Sequence, residues 1–177
     1  MHSNWKIWDL LKSRPKVIDE DTPSIVAIQT WDSFAFKIIK DKLPRENFTE
    51  SKLYVKSGKE VTLSWLEDSF KSLGLFGNSE SYLILDAGSM NMSCKDLLKE
   101  VDELILDGRY LFLEFTKEEE LLKKIKTHGK VELLKVQPPG FWEIDKLLDF
   151  LCDELEVYLD VSALSLIHIS EPTRRTP

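Results

Sequence analysis

Glycine is scarce in this chain, with seven among 177 residues, and none falls where a phosphate-binding loop needs it. Such a loop, Gly-x-x-x-x-Gly-Lys-Ser/Thr, wraps phosphates in close-packed backbone amides and one lysine. After the first strand-like run the chain reads Thr30-Trp31-Asp32-Ser33 instead, and the bulk of Trp31 would block a phosphate. The dinucleotide fingerprint Gly-x-Gly-x-x-Gly is also missing. Cysteine is scarcer still. Cys94 and Cys152 lie far apart and form no metal-type pair, so free buried thiols in a reducing cytoplasm are expected. No apolar run reaches membrane-spanning length, and no apolar signal core follows the charged start. Basic residues are not in excess. The formal net charge of -7 excludes an overall basic field for nucleic acid, though not a local patch. Ser-His-Asp, His-Glu-x-x-His and zinc-pair patterns do not occur. Catalytic residues, cofactor and metal are therefore all expected to be none.

What is present suits a soluble globular protein: 42% hydrophobic and 31% charged residues. Ser24–Gln29 is a short, nearly continuous apolar run, as in a strand buried on both faces, and Leu53–Lys56, Tyr82–Asp86, Tyr110–Phe115 and Val131–Val136 read as the second to fifth strands. Between them, apolar positions recur at helical spacing from about Asp32 to Lys42, from Leu63 to the Gly74 stop, from Ser93 to Leu104 and from Thr116 to His128. Residues 5–11 fit a short amphipathic helix that Arg14-Pro15 ends. Alternation of this kind predicts an α/β fold, a parallel five-stranded sheet with helices on both faces and right-handed crossovers.

Pro138-Pro139-Gly140 is the clearest boundary. Residues 1–138 are expected to form one domain. A strong amphipathic helix follows, marked by Ile144, Leu147, Leu148, Leu151 and Leu155, and Asp160–Ala163 starts another, so 141–163 reads as an uncompleted second domain. Residues 164–177 resemble translated sequencing adapter and are set aside as a non-native tail. Without Glu171, Arg174 and Arg175 the chain remains acidic.

The stretch from Leu63 to Phe76 organises the rest. Ser64 and Glu67 have capping-box spacing, as do Thr116 and Glu119 further on. Leu63, Leu66, Phe70 and Leu73 share one face, and Gly74 suits a helix end. Leu75 and Phe76 then stand on a turn between Gly74 and Gly77, either as a lid on the local core or as a plug for another protein's pocket. Asp86 ends an apolar strand, where some ATPases hold magnesium and where a turn residue is equally at home. His128 sits at a helix end with no obvious partner. Glu118-Glu119-Glu120 lies in a first helical turn and reads as a favourable charge placement.

Leu66–Gly77 (Leu-Glu-Asp-Ser-Phe-Lys-Ser-Leu-Gly-Leu-Phe-Gly) followed by Tyr82-Leu-Ile-Leu-Asp-Ala87 resembles the N-terminal part of the bacterial DNA polymerase III delta subunit, a clamp-loader component. Tyr110–Phe115, the Lys-rich helix to His128, Gly129-Lys-Val131, the Pro-Pro junction and Leu159–Ala163 follow the same order, so the resemblance covers about residues 20–163. It implies a degenerate P-loop NTPase-like (RecA-like) domain that has lost ATP binding, then the start of a helical lid domain. It also implies a cytoplasmic protein that binds the ring-shaped sliding clamp (the beta subunit) and helps open it. The full-length protein would meet other clamp-loader subunits, and DNA only indirectly. Carried over, Leu75 and Phe76 are the clamp-binding plug, with Leu73 alongside. Thr30-Trp31-Asp32 replaces the family's Gly-plus-acid turn, Thr116-Lys117-Glu118 replaces its Lys-Arg connection, and the collar domain has no counterpart here. The readings without the resemblance are a nucleotide-dependent α/β enzyme using Asp86, or a generic binding module with Leu75 and Phe76 inside.

Overall fold

The computed structural model describes residues 2–13, 22–42, 53–71, 80–106 and 109–158. By compactness the chain divides into two units, Met1–Pro138 and Pro139–Pro177. In the first, the chain runs β1 (His2–Trp5), α1 (Ile7–Ser13), β2 (Ile25–Gln29), α2 (Ser33–Lys42), β3 (Leu53–Ser57), α3 (Leu63–Phe70), β4 (Ser81–Leu85), α4 (Met92–Lys99), β5 (Leu111–Phe115), α5 (Glu120–Ile125) and β6 (Val131–Val136). The second contains α6 (Ile144–Leu155). No helix among the described residues is long and apolar enough to cross a membrane.

The sheet is parallel throughout and runs β1-β6-β2-β5-β4-β3. It has six strands, not the expected five. The addition is β1, whose His2–Trp5 pairs with Leu133–Val136. His-Ser-Asn-Trp carries no apolar alternation, so nothing in its composition marks a strand. Its place comes from the backbone edge that β6 leaves open. Two further bonds extend the pairing, Gln137 N–H to the Trp5 carbonyl at 2.8 Å and Lys6 Nζ to the Pro138 carbonyl at 2.7 Å. The first helix accordingly starts at Ile7, not at Trp5.

Strand order decides which face each helix covers. β1 to β2 and β2 to β3 cross the sheet in one direction, and β3 to β4 to β5 to β6 return in the other. With right-handed crossovers, α1 and α2 lie on one face and α3, α4 and α5 on the opposite one. The packing agrees, α1 with α2, α3 with α4, and α4 with α5. Register puts Ile25 beside Leu111 and Val131, and Ala27 beside Leu113 and Leu133. These side chains join Ile84, Leu66, Phe70, Leu98, Leu121 and Ile125 in one buried cluster. The alternate residues Val26, Ile28, Leu83, Phe112 and Leu134 are buried as well, as are Ile7, Leu10, Phe36 and Ile39 of α1 and α2. Strands covered on both faces need apolar residues at both parities, which is why they read as unbroken runs.

The helix starts differ from the capping-box reading. Thr62, not Ser64, caps α3, its Oγ1 accepting from Trp65 N–H at 3.3 Å. Asn91 caps α4 through Cys94 N–H at 2.9 Å. Glu119 occupies the cap position of α5 without a side-chain cap bond. In each case the tertiary connection chose which of several nearby polar residues took the cap. Cys94 is buried and Cys152 half-buried, both as free thiols, and burial pushes the Cys94 thiol up.

Candidate functional site

In open parallel sheets, ligands sit beyond the carboxyl ends of the strands, where successive connections leave in opposite directions. Here that place is the end of β2, flanked by β5 and β6. The connection into α2 is only Thr30-Trp31-Asp32. Thr30 is buried, donates its N–H to the Phe115 carbonyl at 2.9 Å, and turns its Oγ1 to the Asp32 carbonyl, also at 2.9 Å. Asp32 Oδ1 accepts from Ala35 N–H at 2.8 Å. The first turn of α2, which in a phosphate-binding fold offers free amides to an anion, is thus covered by the protein's own carboxylate. A cleft of about 450 Å³, lined in part by Ser24, Leu104, Leu106 and Lys130, lies at the other, amino-terminal end of β2 and β6.

Asp86 is exposed and sits just past β4 in the left-handed conformation, φ 48°, which aspartate tolerates better than most residues. Its backbone is spoken for on both sides. The N–H donates to Glu114 Oε2 at 3.0 Å, and the carbonyl accepts from Ser89 N–H at 2.9 Å and Ser89 Oγ at 2.8 Å. That arrangement accounts for Asp86 as a turn residue. No group of three or more His, Cys, Asp or Glu able to hold a metal ion occurs among the described residues.

Glu114 lies within β5, opposite Ile28, and is buried. Burial pushes its carboxyl above the usual glutamate range; the Asp86 amide opposes this, and the nearby Asp86 carboxylate adds to it. A raised native value means that the folded state holds the proton more tightly than the unfolded state. The stabilisation from the neutral form is therefore full below the unfolded glutamate pKa, about 4.3, and is lost as pH rises through the folded value. Glu114→Gln keeps an acceptor for the Asp86 amide and removes the titration. The variant should match the wild type in melting temperature near pH 4 and exceed it at pH 8. Equal gaps at both pH values would refute this account.

His128 has a partner after all. Its Nδ1 accepts from Lys130 N–H at 3.2 Å, which leaves the ring proton on Nε2, facing Asp102 Oδ2 at 2.9 Å. Lys130 Nζ lies 2.8 Å from Asp102 Oδ1. Lys130 first, and His128 second, hold the Asp102 carboxyl below its usual range. The cluster is exposed and joins the turn after α4 to the turn before β6. Asp102 is far from His128 in sequence, so local reading missed it. The acidic triple is likewise paired off: Glu118 with Lys126, Glu119 with Lys117 at 3.5 Å and Lys95 at 4.0 Å, and Glu120 with Lys99 at 3.4 Å.

Leu73, Leu75 and Phe76, with Gly74 and Gly77, lie outside the described residues. The structure does describe the helix that leads to them. α3 ends at Phe70, capped by Lys71, whose N–H bonds the Glu67 carbonyl at 2.8 Å. Phe70 is fully buried and meets Trp65 and Tyr82 edge-on, at centroid distances of 6.1 and 5.3 Å. The last two carbonyls of α3 are claimed from the α4–β5 connection: Ser69 O by Arg109 Nη1 at 2.8 Å and Phe70 O by Ile105 N–H at 2.7 Å. Arg109, 4% exposed, also donates through Nη2 to Ile105 O and lies 6.0 Å from the centre of the Phe70 ring. Asp107-Gly108 reads in sequence as a turn, and no local pattern marks the arginine that follows it as buried.

No protein-family model matches the chain, and no curated protein does.

Proposed function

We propose that this chain is the clamp-binding portion of a bacterial DNA polymerase III delta subunit, a clamp-loader component that binds the sliding clamp and helps open its ring without hydrolysing ATP. The observation that supports the reading is a six-stranded parallel α/β sheet whose connection from β2 into α2 is only three residues, closed by Asp32. A domain descended from a P-loop ATPase (the RecA-like kind) that has given up its nucleotide leaves such a sheet and needs another use for it. The α3 helix leading into Leu73-Gly74-Leu75-Phe76-Gly77 supplies one, an apolar plug for a partner's pocket. On this reading the second unit begins a helical lid domain, the protein works in the cytoplasm with other loader subunits, and DNA is met through the assembly.

The test is binding of the whole chain to a bacterial sliding clamp. Anchoring side chains dominate interfaces, and a buried Leu or Phe contributes roughly 1.5–3 kcal/mol. Leu75→Ala with Phe76→Ala should therefore weaken binding by about 100-fold or more, with the far-ultraviolet circular dichroism unchanged. Equal binding by the double variant would overturn the proposal.

A further inference from the structure

Three connections converge at the amino-terminal end of the sheet: the one into β2, the one from α4 to β5 and the turn from α5 into β6. The cleft of about 450 Å³ among them falls within the range of small-molecule pockets, about 300–1,000 Å³. Its apolar part is Val101, Leu104 and Leu106, which close this end of the main core. All three are aliphatic, and the described lining holds no aromatic ring on which a planar ligand could stack. Gly129 supplies a second observation. A Cβ placed on it would meet no heavy atom within 4 Å among the described residues, and its φ lies outside the left-handed range. Neither close packing nor backbone conformation therefore calls for glycine here. What the missing side chain leaves is open space at the cleft.

The polar end of the cleft sets the kind of ligand. Among the described residues of the lining, Lys130 alone is ionic. Its ammonium carries three donors, and Asp102 Oδ1 lies 2.8 Å away. Both members of that pair are exposed, so the pair holds the lysine only weakly and the ammonium can turn toward one anionic head. The neighbouring Asp102 carboxylate and the net charge of -7 disfavour a ligand with several negative charges. We propose that this cleft binds a small aliphatic monocarboxylate, its chain against Val101, Leu104 and Leu106 and its carboxylate at Lys130. The proposal does not depend on the clamp-binding reading.

The experiment titrates the whole chain with octanoate, and with octanol as the same chain without the charge, by calorimetry. The wild type should bind octanoate saturably at one site, and octanoate should raise its melting temperature. Octanol should bind more weakly. Gly129→Leu puts a side chain into the open space. It should weaken octanoate binding by about 10-fold or more, the loss of about two buried methylenes, without a lower melting temperature of its own. Lys130→Met keeps the apolar stem. It should weaken octanoate binding by about 5-fold, the scale of an exposed ion pair, and leave octanol binding unchanged. Absence of saturable octanoate binding by the wild type at millimolar concentration would overturn the proposal, as would unchanged octanoate affinity in Gly129→Leu. Unchanged octanoate affinity in Lys130→Met, or an equal loss of octanoate and octanol there, would overturn the carboxylate assignment and with it the ligand class. Should Gly129→Leu not fold, the octanoate-to-octanol comparison in Lys130→Met decides.

Discussion

Phe70→Ala is expected to cost about 3–5 kcal/mol of stability. Phe70 is fully buried and belongs to the main cluster between the sheet and α3–α5. Its ring lies against Trp65 and Tyr82 with interplanar angles of 87° and 77°, the edge-on geometry that adds to simple area burial. The surrounding groups cannot close the gap. Tyr82 is fixed in β4, which pairs on both sides with β3 and β5, and Arg109 is held by two carbonyls. The loss thus combines transfer free energy with a cavity that persists. Urea unfolding should show a lower midpoint at unchanged slope, and the melting temperature should fall by roughly 10 °C. Phe70→Leu, which refills most of the volume, should cost much less. A change below about 1 kcal/mol for Phe70→Ala would mean that the ring is not wedged as the contacts indicate.

Gly58→Ala should also destabilise, by about 1–3 kcal/mol, although glycine-to-alanine changes commonly stabilise by restricting the unfolded chain. Close approach decides the sign here. A methyl carbon on Gly58 would lie 2.3 Å from the Asp86 carbonyl oxygen, 2.7 Å from Ser89 Oγ and 3.2 Å from the Asp86 carbonyl carbon. The hydroxyl could turn away, but the carbonyl could not. It is bonded to Ser89 N–H, and the preceding amide is bonded to Glu114. Thermal unfolding of Gly58→Ala and of Gly58→Ala with Ser89→Ala separates the two contacts. Most of the loss should persist in the double variant, because the backbone obstruction remains. A single variant as stable as the wild type would refute the argument.

Both predictions concern features that the sequence displayed unequally. Phe70 was legible, since Leu63, Leu66 and Phe70 share a helical face and Phe70 is indeed buried against the sheet. Gly58 was not, because nothing nearby announces that Asp86 will pack against it. Five strands could be read from their apolar runs, each within a residue of its observed bounds. Helix caps could not. Ser64, Thr62 and Glu67 all offer plausible chemistry, and the angle at which the chain enters the helix selects among them. His128 looked solitary because Asp102 reaches it only through the fold, and Arg109 meets the end of α3 in the same way.

By itself, the sequence determined five strand segments alternating with helices, and hence a parallel α/β sheet, and it marked Ser24–Gln29 as buried on both faces, because burial on two sides needs apolar residues at successive positions. It also determined that no glycine loop follows the first of those segments. The tertiary structure alone decided the sixth strand, the order β1-β6-β2-β5-β4-β3, the seat of Glu114 beneath Asp86 and the burial of Arg109. Each of these depends on a partner tens of residues away, and a backbone edge or a carbonyl acceptor leaves no mark on the side-chain pattern of the residue that uses it.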